Sequence, residues 1–173
     1  MESGFRLDTE RLYLREMTRE DIKEISHMLK DINVMYAWEH GFTDAEVAEW
    51  VEKNLSRYER DGISYWAVIR KFDERLIGVC GLLKEEADGE EYTGVGYIFK
   101  KDYWHQGYAY ESASACKEYA KRVLGIKELT AQIRPANPPS RKVAEKLGMT
   151  VKKTFIRNYR GKDMPHLLYA VEL

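Results

Sequence analysis

The chain has 173 residues, 44% of them apolar and 33% charged, with a formal net charge of -1. That length supports a sizeable core without metals or disulfides, and the near-neutral charge excludes an overall electrostatic drive towards nucleic acid or an anionic membrane. The two cysteines, Cys80 and Cys116, lack CxxC spacing and read as small buried apolar residues in a reducing, cytoplasmic setting.

The first segment, MESGFRLDTERLYLRE, is charged throughout and reads as neither a signal peptide nor an anchor. No apolar run approaches the roughly 20 residues a membrane helix needs. RLYLRE, residues 11–16, alternates as a strand does. TREDIKEISHMLKDI follows, where Thr18 can cap a helix whose Ile22, Ile25, Leu29 and Ile32 share a face. An aromatic loop, NVMYAWEHGF, leads to TDAEVAEWVEKNLSRYERDG. This second helix opens with a capping box, Thr43 and Glu46, carries an apolar stripe through Val47, Trp50, Val51, Leu55 and Tyr58, and ends at Gly62.

Three strands are expected next: SYWAVIRK, RLIGVCGLLK and YTGVGYIFK, broken by FDE and EEADGEE. Links this short imply antiparallel pairing. The helix YESASACKEYAKRVLG, the strand ELTAQIR and the short helix NPPSRKVAEKLG follow. TVKKTFIRNY, the turn RGKD and HLLYAVEL close the chain. The order is βααβββαβαββ over residues 1–173, which reads as one α/β domain of the α+β type. Its sheet is mixed and mostly antiparallel, flanked by helices, with one strand–helix–strand crossover supplying a parallel pair.

The segment GYIFKKDYWHQGYAYES, residues 96–112, hands a strand over to a helix through Gly107 and Ala109. A helix start has unpaired N–H groups and a partial positive charge, and small residues let a phosphate approach them. There is no Walker lysine. Gly94 and Gly96 lack the third glycine of a dinucleotide fingerprint. From spacing alone, a phosphate cradle and a plain tight turn both remain open.

The wider pattern resembles the GNAT superfamily of acyl-CoA-dependent N-acetyltransferases. It is most similar to the branch acting on protein N-terminal α-amines, small amines and some antibiotics. The resemblance rests on TERLYLRE with the following ED, on GYIFKKDYWHQGYAYE as a pyrophosphate loop, on NPPSRKVAEKLGM, and on the terminal strand pair around RGKD. It implies that the backbone of His105, Gln106, Gly107, Tyr108, Ala109 and Tyr110 holds the pyrophosphate of acetyl-CoA. It also implies that the strand Tyr97, Ile98 and Phe99 splays from its neighbour and pairs with the pantetheine arm.

For chemistry, a backbone N–H near Ile98 is expected to polarise the thioester carbonyl. Asn137 precedes Pro138 and reads as a helix N-cap; the resemblance adds a pantetheine contact. Ser140 matches a serine near the sulfur that can hydrogen-bond or protonate the thiolate. Two departures stand out. A tyrosine acid found in many relatives falls at Ala144, and a strand glutamate base falls at Thr93 or Gly94. A base must then come from elsewhere, act through water, or be dispensable; Glu39 and His40 are the nearest candidates in sequence, and the resemblance places Tyr36, Trp38, Glu39 and His40 at the acceptor pocket. The four histidines are scattered, with no HxH or HExxH, so no metal is expected.

The implied function is acetyl transfer from acetyl-CoA to a primary amine, a protein N-terminus or a small molecule. A homodimer is left open. Two rival readings remain: an acyl-CoA sensor or partner-binding module that has lost catalysis, and a nucleotide-binding protein using the same loop.

Overall fold

The computed structural model describes residues 4–173. The reading of the N-terminus falls partly on residues 1–3, outside the described residues. The elements are β1 (Arg6–Asp8), β2 (Leu12–Glu16), α1 (Ile22–Leu29), α2 (Asp44–Asp61), β3 (Tyr65–Arg70) and β4 (Arg75–Ala87). They continue with β5 (Glu90–Phe99), α3 (Tyr108–Arg122), β6 (Glu128–Ile133), α4 (Pro138–Lys146), β7 (Thr150–Tyr159) and β8 (Lys162–Glu172). The expected order holds with one addition, β1. Three residues with one apolar side chain carry too little alternation to show in the sequence. Pairing with β2, Leu7 opposite Leu14, makes it a strand.

All strands join one eight-stranded sheet in the order β1-β2-β3-β4-β5-β6-β8-β7. Every neighbour is antiparallel except β5 and β6. That parallel pair follows from the α3 crossover, as the sequence order requires.

Side-chain alternation sorts the strands into two cores. Leu12, Leu14, Trp66, Cys80, Leu82 and Val95 share one face with α3 and α4. Ala67, Ile69, Val79 and Ile98 share the other with α1 and α2. Each fully buried aliphatic side chain contributes roughly 1.5–3 kcal/mol. The two cysteines sit in the first core, both free and buried, with sulfurs 3.8 Å apart.

Local signals place the helix ends. Thr43 and Glu46 form the expected capping box, and Gly62 closes α2 at φ 75°. Ile32 does not join the apolar face: α1 ends at Leu29, and Ile32 is exposed. The break expected at EEADGEE shrinks to Asp88 and Gly89, both at positive φ. Two such residues match the right-handed twist of a hairpin, so β4 and β5 run almost to the turn. Helix α3 starts two residues earlier than its periodicity suggests, at Tyr108.

Candidate active site

The site forms where β5 and β6 part. Lys100 N–H donates to Ile77 O at 3.0 Å, which makes these two a directly bonded pair at the end of the β4–β5 ladder. The register runs unbroken from Gly78 opposite Phe99 to Ala87 opposite Glu90. Bonded pairs alternate along an antiparallel ladder, so Ile98 bonds to Val79. The peptide groups of Tyr97 and Phe99 turn the other way, towards β6. Two contacts agree with this parity: Phe99 O accepts from Trp104 Nε1 at 2.9 Å, and Thr93 O accepts from Thr130 Oγ1 at 3.2 Å.

The parallel pairing of β5 with β6 consists of one bridge, Gly94 with Thr130. Beyond it the Tyr97 N–H and C=O and the Phe99 N–H face a gap. An open strand edge of this kind is a ladder for an extended, amide-bearing ligand. The donors are thus one residue either side of Ile98, whose own N–H is committed to β4. Sequence spacing cannot fix this parity, which depends on the register against β4.

The gap leads to the start of α3. Gly107 is the residue before the helix, at φ 82°, and no side chain caps it. Helices α2 and α4 differ, because Thr43 and Asn137 cap them. The first helical bond of α3 is Glu111 N to Gly107 O. The N–H groups of Gly107, Tyr108, Ala109 and Tyr110 therefore precede the helical ladder. Arg11 fixes the loop by donating to Gln106 O at 3.0 Å and to Glu111 Oε1 at 2.7 Å. His105 and Gln106 are exposed, and His105 also takes positive φ, at 63°.

On the opposite wall of the gap, the Asn137 Oδ1 accepts from Ser140 N at 3.4 Å and from the Tyr36 hydroxyl at 2.6 Å. Both bonds use the oxygen and leave the amide Nδ2 free to donate. The Tyr97 hydroxyl donates to Ser140 O at 2.7 Å. Burial pushes the Tyr97 pKa upwards, so it stays neutral.

A cavity of about 410 Å³ opens from this gap, lined among others by Trp38, Trp50, Tyr65, Glu85, Tyr97 and Ser140. Its floor explains two glycines. A side chain at Gly96 would collide with the Tyr65 hydroxyl, and one at Gly94 with the Glu85 carboxyl. Glu85 is partly exposed as a residue, yet its Oε2 is buried and has no hydrogen-bond partner. Burial pushes its pKa up to about 7, against the opposing pull of Arg157 and Arg57. A carboxyl group with that affinity is suited to taking a proton near neutral pH.

The residues of the aromatic loop separate. Trp38 lines the cavity; Tyr36, Glu39 and His40 do not. Glu39 is held by Lys162 Nζ at 2.7 Å and Arg134 Nη1 at 3.1 Å. Those two cations, Lys162 foremost, lower its pKa, which makes it a poorer base. His40 Nδ1 lies 3.1 Å from Trp38 O and Nε2 3.3 Å from Glu46 Oε2, and its ring stacks near Phe42 and Tyr159. Both side chains pin the loop. Glu85, missed in the sequence, opens the segment EEADGEE, which reads as turn material.

The family model for the acetyltransferase (GNAT) domain matches residues 11–150. The chain is a member of the GNAT acetyltransferase family. It is 32% identical over 144 residues to the uncharacterized N-acetyltransferase YnaD of Bacillus subtilis strain 168, covering 83% of this chain and 81% of that protein. A GNAT-family acetyltransferase structure from Bacillus anthracis superposes with a TM-score of 0.83 at 26% identity, over 97% of this chain and 98% of that one. RimL, a ribosomal-protein α-N acetyltransferase solved with coenzyme A, shares the fold at a TM-score of 0.80 and 18% identity, over 98% of both chains. Among the described residues no cluster of three or more His, Cys, Asp or Glu side chains could hold a metal ion. Among the described residues no helix is long and apolar enough to cross a membrane.

Proposed function

We propose that this GNAT chain transfers an acetyl group from acetyl-CoA to a primary amine, an α-amine in preference to a lysine side chain. The carrying observation is two sets of unpaired backbone groups, at the open edge of β5 and at the uncapped start of α3, with Glu85 in the cavity that Val95 to Ile98 of β5 also line. Acetyl-CoA supplies the activated acyl group. The helix start and its loop bind the pyrophosphate. Tyr97 and Phe99 hold the pantetheine arm and polarise the acyl carbonyl, and Asn137 Nδ2 adds a contact.

In the transfer, an amide C–N bond forms and the thioester C–S bond breaks. Glu85 takes a proton from the acceptor's ammonium, directly or through water, and the neutral amine attacks; the second nitrogen proton leaves as the amide forms, and Ser140 hydrogen-bonds or protonates the departing sulfur. An α-amine has a pKa of ~7.7–8.0 against ~10.4 for lysine, so it loses its proton more readily to a base of this strength.

The test measures CoA release with a peptide bearing a free N-terminus, its N-blocked lysine-containing counterpart, and a set of small amines. The free N-terminus should exceed the blocked lysine peptide in kcat/KM. Equal or faster turnover of the blocked peptide overturns the preference. Acetyl-CoA binding without CoA release on any amine would favour the sensor reading.

Ser140→Ala is expected to lower kcat by about tenfold while changing the acetyl-CoA Kd little, as the loss of one hydrogen bond to a developing charge predicts. An unchanged kcat under conditions where chemistry limits turnover would remove Ser140 from the mechanism.

A further inference from the structure

Among the described residues, three buried side-chain polar atoms lack a hydrogen-bond partner: Arg57 Nε, Glu85 Oε2 and Arg134 Nε. All three residues line the same cavity. Unsatisfied buried groups are rare in folded proteins, and their gathering in one hollow points to a ligand that completes them. Arg134 is largely engaged by Ala37 O, Glu39 and Met164. Arg57 and Glu85 are not.

Arg57 stands one helical turn after Lys53 on α2, and Arg157 reaches the same cavity from β7. Among the described residues the Arg57 side chain has only Asn54 Oδ1, at 3.3 Å, and that of Arg157 only Gln132 Oε1, at 2.7 Å. Among the described residues none of these three cations has a carboxylate within ion-pair distance. Like charges crowd instead: lost hydration, then Arg57 and Arg157, lower the pKa of Lys53, with Glu49 opposing. The other charged or titratable groups of the cavity are Glu46, Glu49, Glu85 and Arg134, with His166 from β8. Three cations held together at a cavity wall, none of them in contact with a carboxylate, are a receptor for an anion.

We propose that Lys53, Arg57 and Arg157 bind an anionic group, a carboxylate or a phosphate, carried by the acceptor amine itself. This rests on the acetyl-transfer reading and narrows its substrate class. Both guanidiniums are charge neighbours of Glu85. Arg57, Arg157 and Glu85 line one cavity of about 410 Å³, so an anionic group held there and the amine that Glu85 deprotonates fit within one small molecule. A free amino acid or a phosphorylated small amine has that layout; a neutral amine or an amidated one does not.

The experiment compares matched pairs: an amino acid against its amide, and a phosphorylated amino alcohol against the unphosphorylated one. The anionic member of at least one pair should have a kcat/KM about tenfold higher or more, and the pair that responds identifies carboxylate or phosphate. In the Arg57→Gln/Arg157→Gln double variant that ratio should fall towards one, mainly through KM, while acetyl-CoA affinity holds. Equal use of both members in every pair overturns the proposal.

A second measurement does not depend on turnover. Binding of N-acetylated acid and N-acetylated amide to the CoA-loaded protein is compared by calorimetry, with the phosphorylated pair as a further arm. Tighter binding of an anionic member, lost in the double variant, supports the anion site even if no amine is acetylated, a result that would sink only the transferase reading. Absence of any preference in every arm overturns the anion site even where acetyl transfer is established.

Discussion

Gly107→Glu is expected to weaken acetyl-CoA binding by about 100-fold, or ~2.7 kcal/mol. Gly107 sits at φ 82° immediately before α3, where an L side chain is strained. A β-carbon there would meet only Arg11 Nη2, at 3.4 Å, so the fold has room for the larger residue. What the substitution changes is the charge at the helix start. Uncapped N–H groups and the helix dipole favour an anion, and a fixed carboxylate both repels phosphate and competes for those donors. Gly107→Ala separates the causes, because it adds the strain without the charge and should cost much less. Calorimetric titration of acetyl-CoA, with circular dichroism to verify folding, decides the matter. A folded Gly107→Glu variant that binds like the parent protein would show that the pyrophosphate lies elsewhere.

The second large effect is expected at Glu85. Its carboxyl is held near a pKa of about 7 by burial in the cavity floor. As the base for an ammonium proton it must be ionised, so kcat/KM should rise as pH climbs through about 7. Glu85→Gln should lower kcat/KM on the order of 100-fold near neutral pH. The deficit should shrink above the acceptor amine's own pKa, ~8 for a peptide N-terminus and higher for an amine beside an anionic group, where the free amine forms unaided. A loss of the same size at every pH would assign Glu85 to positioning rather than proton transfer.

A stability measurement gives an independent reading. The ordinary glutamate value is 4.5, and the folded one is raised. A raised carboxyl favours the fold fully below the unfolded value, and that contribution is lost as pH rises through the folded one. The Tm of the parent protein should therefore decline between about pH 5 and pH 8, with the Glu85→Gln curve flatter over that range. Parallel curves would mean that Glu85 titrates normally in the fold.

The contrast between Glu85 and Glu39 shows what spacing can and cannot convey. Glu39 stands beside aromatics in a loop, where a sequence reader looks for an acceptor-side base. The fold brings Lys162 and Arg134 to it from distant strands, and both carboxylate oxygens are committed. Glu85 looks like part of a polar turn, because EEADGEE is dense in charge. The turn is only Asp88 and Gly89, so Glu85 remains within β4, facing the bare backbone of Gly94 across the sheet. The strand glutamate sought at Thr93 or Gly94 has a counterpart on the neighbouring strand, in the space that Gly94 leaves open.

The sequence by itself determined the local structure: the Thr43–Glu46 capping box, the Asn137–Pro138 helix start, the handover at Gly107, and the parallel crossover implied by a helix between β5 and β6. These depend on neighbouring residues, on a cap three positions away or on a glycine at positive φ, and such signals survive in a linear string. Only the tertiary structure decided which peptide groups of β5 face the gap, because that parity is set by the register against β4. It also decided which charges are spent and which are free. Lys53 and Arg57 come from α2, Glu85 from β4 and Arg157 from β7, and the proton affinities of Lys53 and Glu85 are set by burial and by the charges around them. Desolvation and Coulomb interaction depend on distances in space, and residues 53, 85 and 157 become neighbours only when the sheet has formed.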